Sequence, residues 1–216
     1  MARNKYPEET RQLILDVAQK LFLEKGFDGT TIKDIIAELG GLTKGVIYHH
    51  FESKEDILEQ VLNRMADASE NKIMHELDLE AGTGLEKLQC YLISAIKRFE
   101  LISIVYATEM FYKSPRIIGE RYLESFSYAL PEITKMIEVG IEDGSIETEF
   151  PEEVAEVMIV LSNLWIAIQL PNWTSEEIKR KFLVSKRIFE SLNVPIVTEQ
   201  TLEAVNELCD YLNKLE

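Results

Sequence analysis

The chain has little of what stops a helix and almost nothing that ties a chain to itself covalently. Its 216 residues include only 10 glycines, 6 prolines and 2 cysteines. Cys90 and Cys209 stand far apart with no Cys-x-x-Cys spacing, which excludes a disulfide framework or a cysteine metal cluster; each reads as a small core residue. No apolar run approaches the roughly 18 residues that a membrane span needs. The opening Met1-Ala2-Arg3-Asn4-Lys5-Tyr6-Pro7 lacks the apolar stretch of a secretory signal. The chain therefore reads as cytoplasmic, with no membrane partner. Catalytic constellations are missing as well: there is no phosphate-binding glycine loop, no nucleophile beside a base and no metal-ligand spacing. His49 and His50 are adjacent and so point to different helix faces, and His75 has no companion histidine. Neither an enzyme nor a cofactor is expected.

What is present is helical periodicity. Apolar residues make up 46% of the chain, enough for a real core, and recur at spacings of three and four with no two-residue alternation. Breaks are expected at residues 26–29, Gly40-Gly41, 51–53, 81–84, Ser114-Pro115, Pro131, 144–151, Pro171-Asn172 and Pro195. That spacing predicts nine or ten helices and no sheet, an all-α fold.

The formal charge of −15 is unevenly placed. Residues 1–54 hold eight basic and eight acidic residues, which leaves 15 of the 23 basic and 30 of the 38 acidic residues in 55–216. A neutral module joined to a strongly acidic one suggests two jobs, and only the neutral one can approach phosphates without repulsion. The domains are accordingly read as 1–54 and 55–216.

The first module is closely punctuated. Leu13, Ile14, Val17, Ala18, Leu21 and Phe22 form an apolar face on the first helix. Gly26 fits a left-handed stop with Phe27 packing back on Phe22. Thr31 and Asp34 suit a capping box for the second helix, whose stripe is Ile32, Ile35, Ile36 and Leu39. Thr43 caps a very short third helix and Ser53 a fourth.

The third helix carries few core residues (Val46, Ile47, Phe51) and shows Thr43, Lys44, Gly45, Tyr48, His49 and His50 around the rest. So little burial suits a helix lying in a DNA major groove, about 12 Å wide, with small, polar and basic side chains toward bases and phosphates. Gly45 costs roughly 1 kcal/mol of helix stability but permits close backbone approach. Tyr48 offers a hydroxyl to a phosphate, and Lys54 adds charge at a helix N-terminus.

These residues carry a resemblance. Residues 8–62 resemble the DNA-binding domain of the TetR family of regulators, through Gly26-Phe27, Thr30-Thr31-Ile32, the run Leu42-Thr43-Lys44-Gly45-Val46-Ile47-Tyr48-His49-His50-Phe51 and Ser53-Lys54-Glu55. The resemblance implies a helix-turn-helix in which Thr31 and Lys33 reach phosphates. Thr43, Lys44 and His49 would face bases or phosphates, and Tyr48 and Lys54 would clamp the backbone. The step from Thr31 to Tyr48 is one residue longer than the family's usual spacing, with Gly40-Gly41 as the site of the addition. The implied function is a ligand-responsive regulator, a repressor that binds a palindromic operator in double-stranded DNA as a homodimer. A co-activator acting through protein partners is the alternative reading.

Beyond residue 55 the resemblance is architectural only. The stretch 151–170 is apolar nearly all round, with Val154, Val157, Met158, Leu161, Trp165 and Ile168 on one face and Ala155, Ile159, Ile166 and Leu170 on another. Such a helix is buried on both sides, either as the centre of a monomeric core or at a dimer seam. By the resemblance, Met158, Leu161, Trp165 and Ile168 would pair with Ile178, Phe182 and Phe189 of 175–191 in a dimer interface. Helices at 85–112 and 119–143 carry Phe99, Ile102, Tyr106, Glu109, Met110, Tyr122 and Phe126, which suit either an apolar cavity for an unknown small-molecule effector or plain core.

Overall fold

The computed structural model describes residues 7–79, 82–106, 115–167 and 173–214. Every regular element among them is helical: α1 Pro7–Lys25, α2 Ile32–Glu38, α3 Lys44–His50, α4 Lys54–Leu79, α5 Gly84–Ile96, α6 Phe99–Tyr106, α7 Pro115–Glu142, α8 Pro151–Ile159, α9 Ser175–Ser191 and α10 Glu199–Leu212. Directly after α8 the chain winds as a π-helix over Val160–Ile166. No described helix is long and apolar enough to cross a membrane.

The chain divides into two compact units, Met1–Glu70 with Glu100–Thr108, and Asn71–Phe99 with Glu109–Glu216. The first unit extends past the expected boundary at 54 because the first half of α4 supplies its core. Ile57, Leu58, Val61 and Leu62 are all but completely buried, alongside Ile14, Leu15, Ala18, Leu21 and Phe22 of α1. The buried face of α1 is thus rotated from the expected one. Leu15 replaces Leu13, which is 49% exposed. Local periodicity cannot fix that rotation, since the partner helix is some forty residues away in sequence. Polar bonds tie the same two helices. Arg64 Nη1 donates to Asp16 Oδ1 at 2.7 Å and Arg64 Nη2 to Gln19 Oε1 at 2.7 Å, and Arg11 donates to Gln60.

In the second unit α7 packs on α8 and α5, while α10 packs on α9 and α5. Two expected boundaries shift here. The helix expected over 85–112 ends at Ile96 and restarts at Phe99. Pro131 was expected to break a helix, yet α7 runs through it. A proline inside a helix costs about 3 kcal/mol, and the full burial of Ile133, Met136 and Ile137 just beyond it offsets that cost.

The α5–α7 crossing is a close backbone contact. A Cβ on Gly84 would fall 2.1 Å from the Gly140 backbone nitrogen and 2.5 Å from its Cα, so only a glycine fits. The same approach lets Asp143 Oδ2 accept from the Gly84 N–H at 2.7 Å and Ser145 Oγ from the Leu85 N–H at 3.2 Å. These bonds join the Thr83–Glu86 capping box at the start of α5. The Ser145 and Gly84 hydrogen bonds hold the Asp143 carboxyl below the usual carboxylate range. Helix propensity alone favours Gly84→Ala by about 1 kcal/mol; overpacking against backbone opposes it by about 1–3 kcal/mol or more. We expect a net loss of stability for Gly84→Ala in urea unfolding, and a gain would show that α5 and α7 do not cross this closely.

Candidate nucleic-acid interface

The turn leading into α2 is built from buried and capped groups. Gly26 adopts φ +74° and its N–H reaches the Phe22 carbonyl at 3.1 Å, while the Phe22 and Phe27 rings pack with centroids 5.5 Å apart. Thr30 is fully buried, its hydroxyl donating to the Gly26 carbonyl at 2.8 Å. Thr31 then caps α2 in a complete capping box with Asp34. Gly40, at φ +60°, turns the chain from α2 toward α3 where a side chain would be strained.

Helix α3 is held by Ile47, 1% exposed, and by Phe51 just past its end, 2% exposed. Thr43, Lys44, Gly45, Tyr48 and His49 are all exposed, Tyr48 at 48%. The Thr43 hydroxyl makes no cap bond although it stands at the N-cap position, which leaves it free for a partner outside the helix. Lys44 Nζ lies 5.4 Å from the Tyr48 ring centroid, one turn along, so ammonium and phenol share one edge. A Cβ on Gly45 would meet nothing nearer than Thr43 Oγ1 at 3.8 Å. Its bareness is therefore not required by packing within the chain. Lys33, on α2, is also exposed.

Three of the expected DNA contacts are differently employed. The Thr31 hydroxyl donates to Asp34 Oδ2 at 2.5 Å, so its hydrogen serves the cap rather than a phosphate. His50 is half-buried against Phe51 and edge-on to His49, with centroids 5.2 Å apart, and its Nε2 is buried without a hydrogen-bond partner. Burial, with His49 and Arg11 nearby, pushes its pKa down. Lys54 departs furthest. Its ammonium donates to the Phe27 carbonyl at 2.8 Å and the Thr30 carbonyl at 2.9 Å, and sits 3.9 Å from the Phe27 ring centroid. It fastens α4 to the α1–α2 turn. Sequence spacing could not reveal this, because the partners lie 24 and 27 residues upstream.

The expected interface residues of the second unit also resolve differently. Met158, Ile178, Phe182 and Phe189 are buried in the chain's own core, at 2%, 2%, 6% and 3% exposure, so they face inward rather than toward a second copy. Leu161 and Trp165 are half-buried on the π-helical stretch, and Ile168 lies outside the described residues. The apolar residues that α9 turns outward are Leu183 and Val184, 47% and 44% exposed. Of the expected effector residues, Phe99 stacks on Tyr211 at 5.1 Å and Tyr122 packs on Phe126 at 4.8 Å. Ile102 is half-buried in the first unit. The Tyr106 side chain, Glu109 and Met110 lie outside the described residues.

A capped helix, a glycine turn and a short, thinly buried second helix presenting small, hydroxyl, basic and aromatic side chains define a helix-turn-helix DNA-binding protein. Residues 14–61 match the family described as bacterial regulatory proteins, tetR family. The chain is 29% identical over 164 residues to the HTH-type transcriptional repressor KstR2 of Rhodococcus jostii, a match covering 74% of this chain and 78% of that one. It is 43% identical over 73 residues to the HTH-type transcriptional regulator AcrR of Shigella flexneri, covering 34% and 31% of the two chains. A TetR-family regulator from Pectobacterium atrosepticum has the same fold, with TM-score 0.68 at 19% identity over 89% of this chain and 98% of the other. The helix-turn-helix of residues 14–61 is that of the TetR family of transcriptional regulators.

Lys54 supplies the test of this geometry. Replacing it with Met strips the Thr30 carbonyl of its donor, and we expect a loss of about 1–3 kcal/mol in urea unfolding. The salt dependence of DNA affinity should be unchanged. Full stability with a shallower salt slope would instead make Lys54 a phosphate contact.

Proposed function

We propose that two copies of this chain bind a near-palindromic operator, each laying α3 in a major groove, and that the protein represses transcription until a small molecule releases it. The observation that carries this reading is the economy of α3: it buries Ile47 and leaves Thr43, Lys44, Gly45, Tyr48 and His49 to solvent. Lys44 and Tyr48 are assigned to phosphates, Thr43 and His49 to base edges, and Lys33 to a flanking phosphate. The Gly45 backbone marks the closest approach. Repression is favoured by the similarity to repressors such as KstR2 of Rhodococcus jostii. Phe99, Tyr122 and Phe126 remain candidates for contact with the effector, which by linkage would lower operator affinity by the same factor that operator lowers its own, typically about 5–150-fold.

Binding to DNA from upstream of the protein's own gene, followed by fluorescence anisotropy at several salt concentrations, tests the assignment. Lys44→Ala should weaken binding and reduce the salt slope by about one contact. Gly45→Ala should stabilise α3 by up to about 1 kcal/mol and still weaken binding, because the methyl group holds the backbone off the DNA. Unchanged affinity in both variants would remove α3 from the interface.

The second copy is assigned to the outer face of α9, where Leu183 and Val184 stand exposed. Two-fold symmetry then presents two recognition helices, about 34–36 Å apart when they enter successive grooves. Sedimentation should show a dimer for the wild type and a folded monomer when Leu183 and Val184 are both replaced by Asp. Phe182→Asp should unfold the unit instead, since that ring is in the core. A dimer that survives the double substitution would place the interface elsewhere.

A further inference from the structure

Trp165 and Trp173 are the chain's two tryptophans, and both rings pack against one ammonium. Lys181 Nζ lies 3.1 Å from the centroid of the Trp173 ring and 4.0 Å from that of Trp165. Lys181 is 8% exposed, a burial that lysine rarely accepts without a compensating partner. Here the compensation is two ring faces. Glu177, one turn earlier on α9, adds a favourable charge while its carboxylate is held by Thr174 at 2.8 and 2.9 Å. Burial pushes the Lys181 amino group's pKa down, and Glu177 opposes that shift.

The rings border an open depression of about 200 Å³, lined also by Glu177, Arg180 and Val184. Arg180 is the one other cation there, and its guanidinium is turned toward Glu176 at 3.5 Å. Trp165 is carried by the π-helical stretch Val160–Ile166, a winding found mostly where a helix serves a site. Two indole faces turned to one cation, beside a carboxylate, form a cage for a positively charged organic group. In this chain the cage is filled from within. The lysine stem is a flexible four-carbon tether, so its ammonium is a plug rather than a fixed wall. The second unit holds 24 acidic and 14 basic residues, a net charge of −10, a field that concentrates cations around it and depletes anions.

We propose that Trp165 and Trp173 form a binding site for small alkylated ammonium ions, closed in the free protein by Lys181. Methylated ammonium ions are less strongly hydrated than a primary ammonium, so they give up less on entering between the rings. The plug lowers their apparent affinity by the fraction of molecules in which it is open. The site lies wholly within the second unit and does not depend on the Phe99, Tyr122 and Phe126 candidates.

Both tryptophans belong to the cage, so intrinsic fluorescence reports on this site alone. Tetramethylammonium chloride is the probe, with sodium chloride at equal ionic strength and neopentyl alcohol as a neutral molecule of similar shape. Because Val184 also belongs to the proposed dimer face, the titration is run where sedimentation shows a single species throughout. The wild type should show a saturable change in emission with tetramethylammonium and none with the alcohol. Lys181→Ala and Lys181→Gln, each checked for cooperative unfolding, should bind the probe at least about tenfold more tightly. Trp173→Leu should lose the saturable response. Equal affinity in wild type and both Lys181 variants, or an equal response to the neutral alcohol, would overturn the proposal.

Discussion

The presentation of the recognition helix depends on one half-buried donor. The Lys54 ammonium bonds the carbonyls of Phe27 and Thr30 and rests on the Phe27 ring, so the start of α4 is fixed to the turn from which α2 departs. Around that point the Thr30 hydroxyl closes the turn internally, and Phe27 closes it against Phe22. Helix α3 lies between these anchored segments, with Ile47 and Phe51 in the shared core. A helix of seven residues has no stability of its own. Its exposed face can be given to polar and small residues because the neighbouring elements supply the burial that it lacks.

The second unit packs its helices around apolar faces and a close backbone approach. Its closest approach, Gly84 on Gly140, brings two backbones into contact and lets the Asp143 and Ser145 side chains satisfy the first N–H groups of α5. The inward faces of α8, α9 and α10 are occupied by Met158, Phe182, Phe189 and Leu208. That occupancy matters for assembly. A residue that fills the chain's own core is not available to a second copy, and this moves the candidate surface to Leu183 and Val184.

Lys54 and Lys181 show two ways of keeping a lysine away from water. The first donates to carbonyls and is structurally committed by direct hydrogen bonds. The second relies on ring faces, an attraction that is softer in direction and open to replacement by another cation. Lys181 was unremarkable in the sequence, and Lys54 read there as a phosphate contact.

Much of the architecture was legible from the chain alone. Sparse Gly and Pro with three-and-four spacing determined the helical class, and capping residues located α2, α3 and the turn at Gly26, because those interactions reach only three or four residues along the chain. The run from Thr43 to Phe51 marked the recognition helix for the same reason. Tertiary structure decided the rest. It rotated the buried face of α1, carried α7 through Pro131, turned Phe182 and Phe189 inward, took Lys54 into bonds with the carbonyls of Phe27 and Thr30, and set Lys181 against Trp165 and Trp173. Each of these outcomes depends on a partner outside the local helical turn, and a side chain's role is fixed by which distant surface arrives beside it.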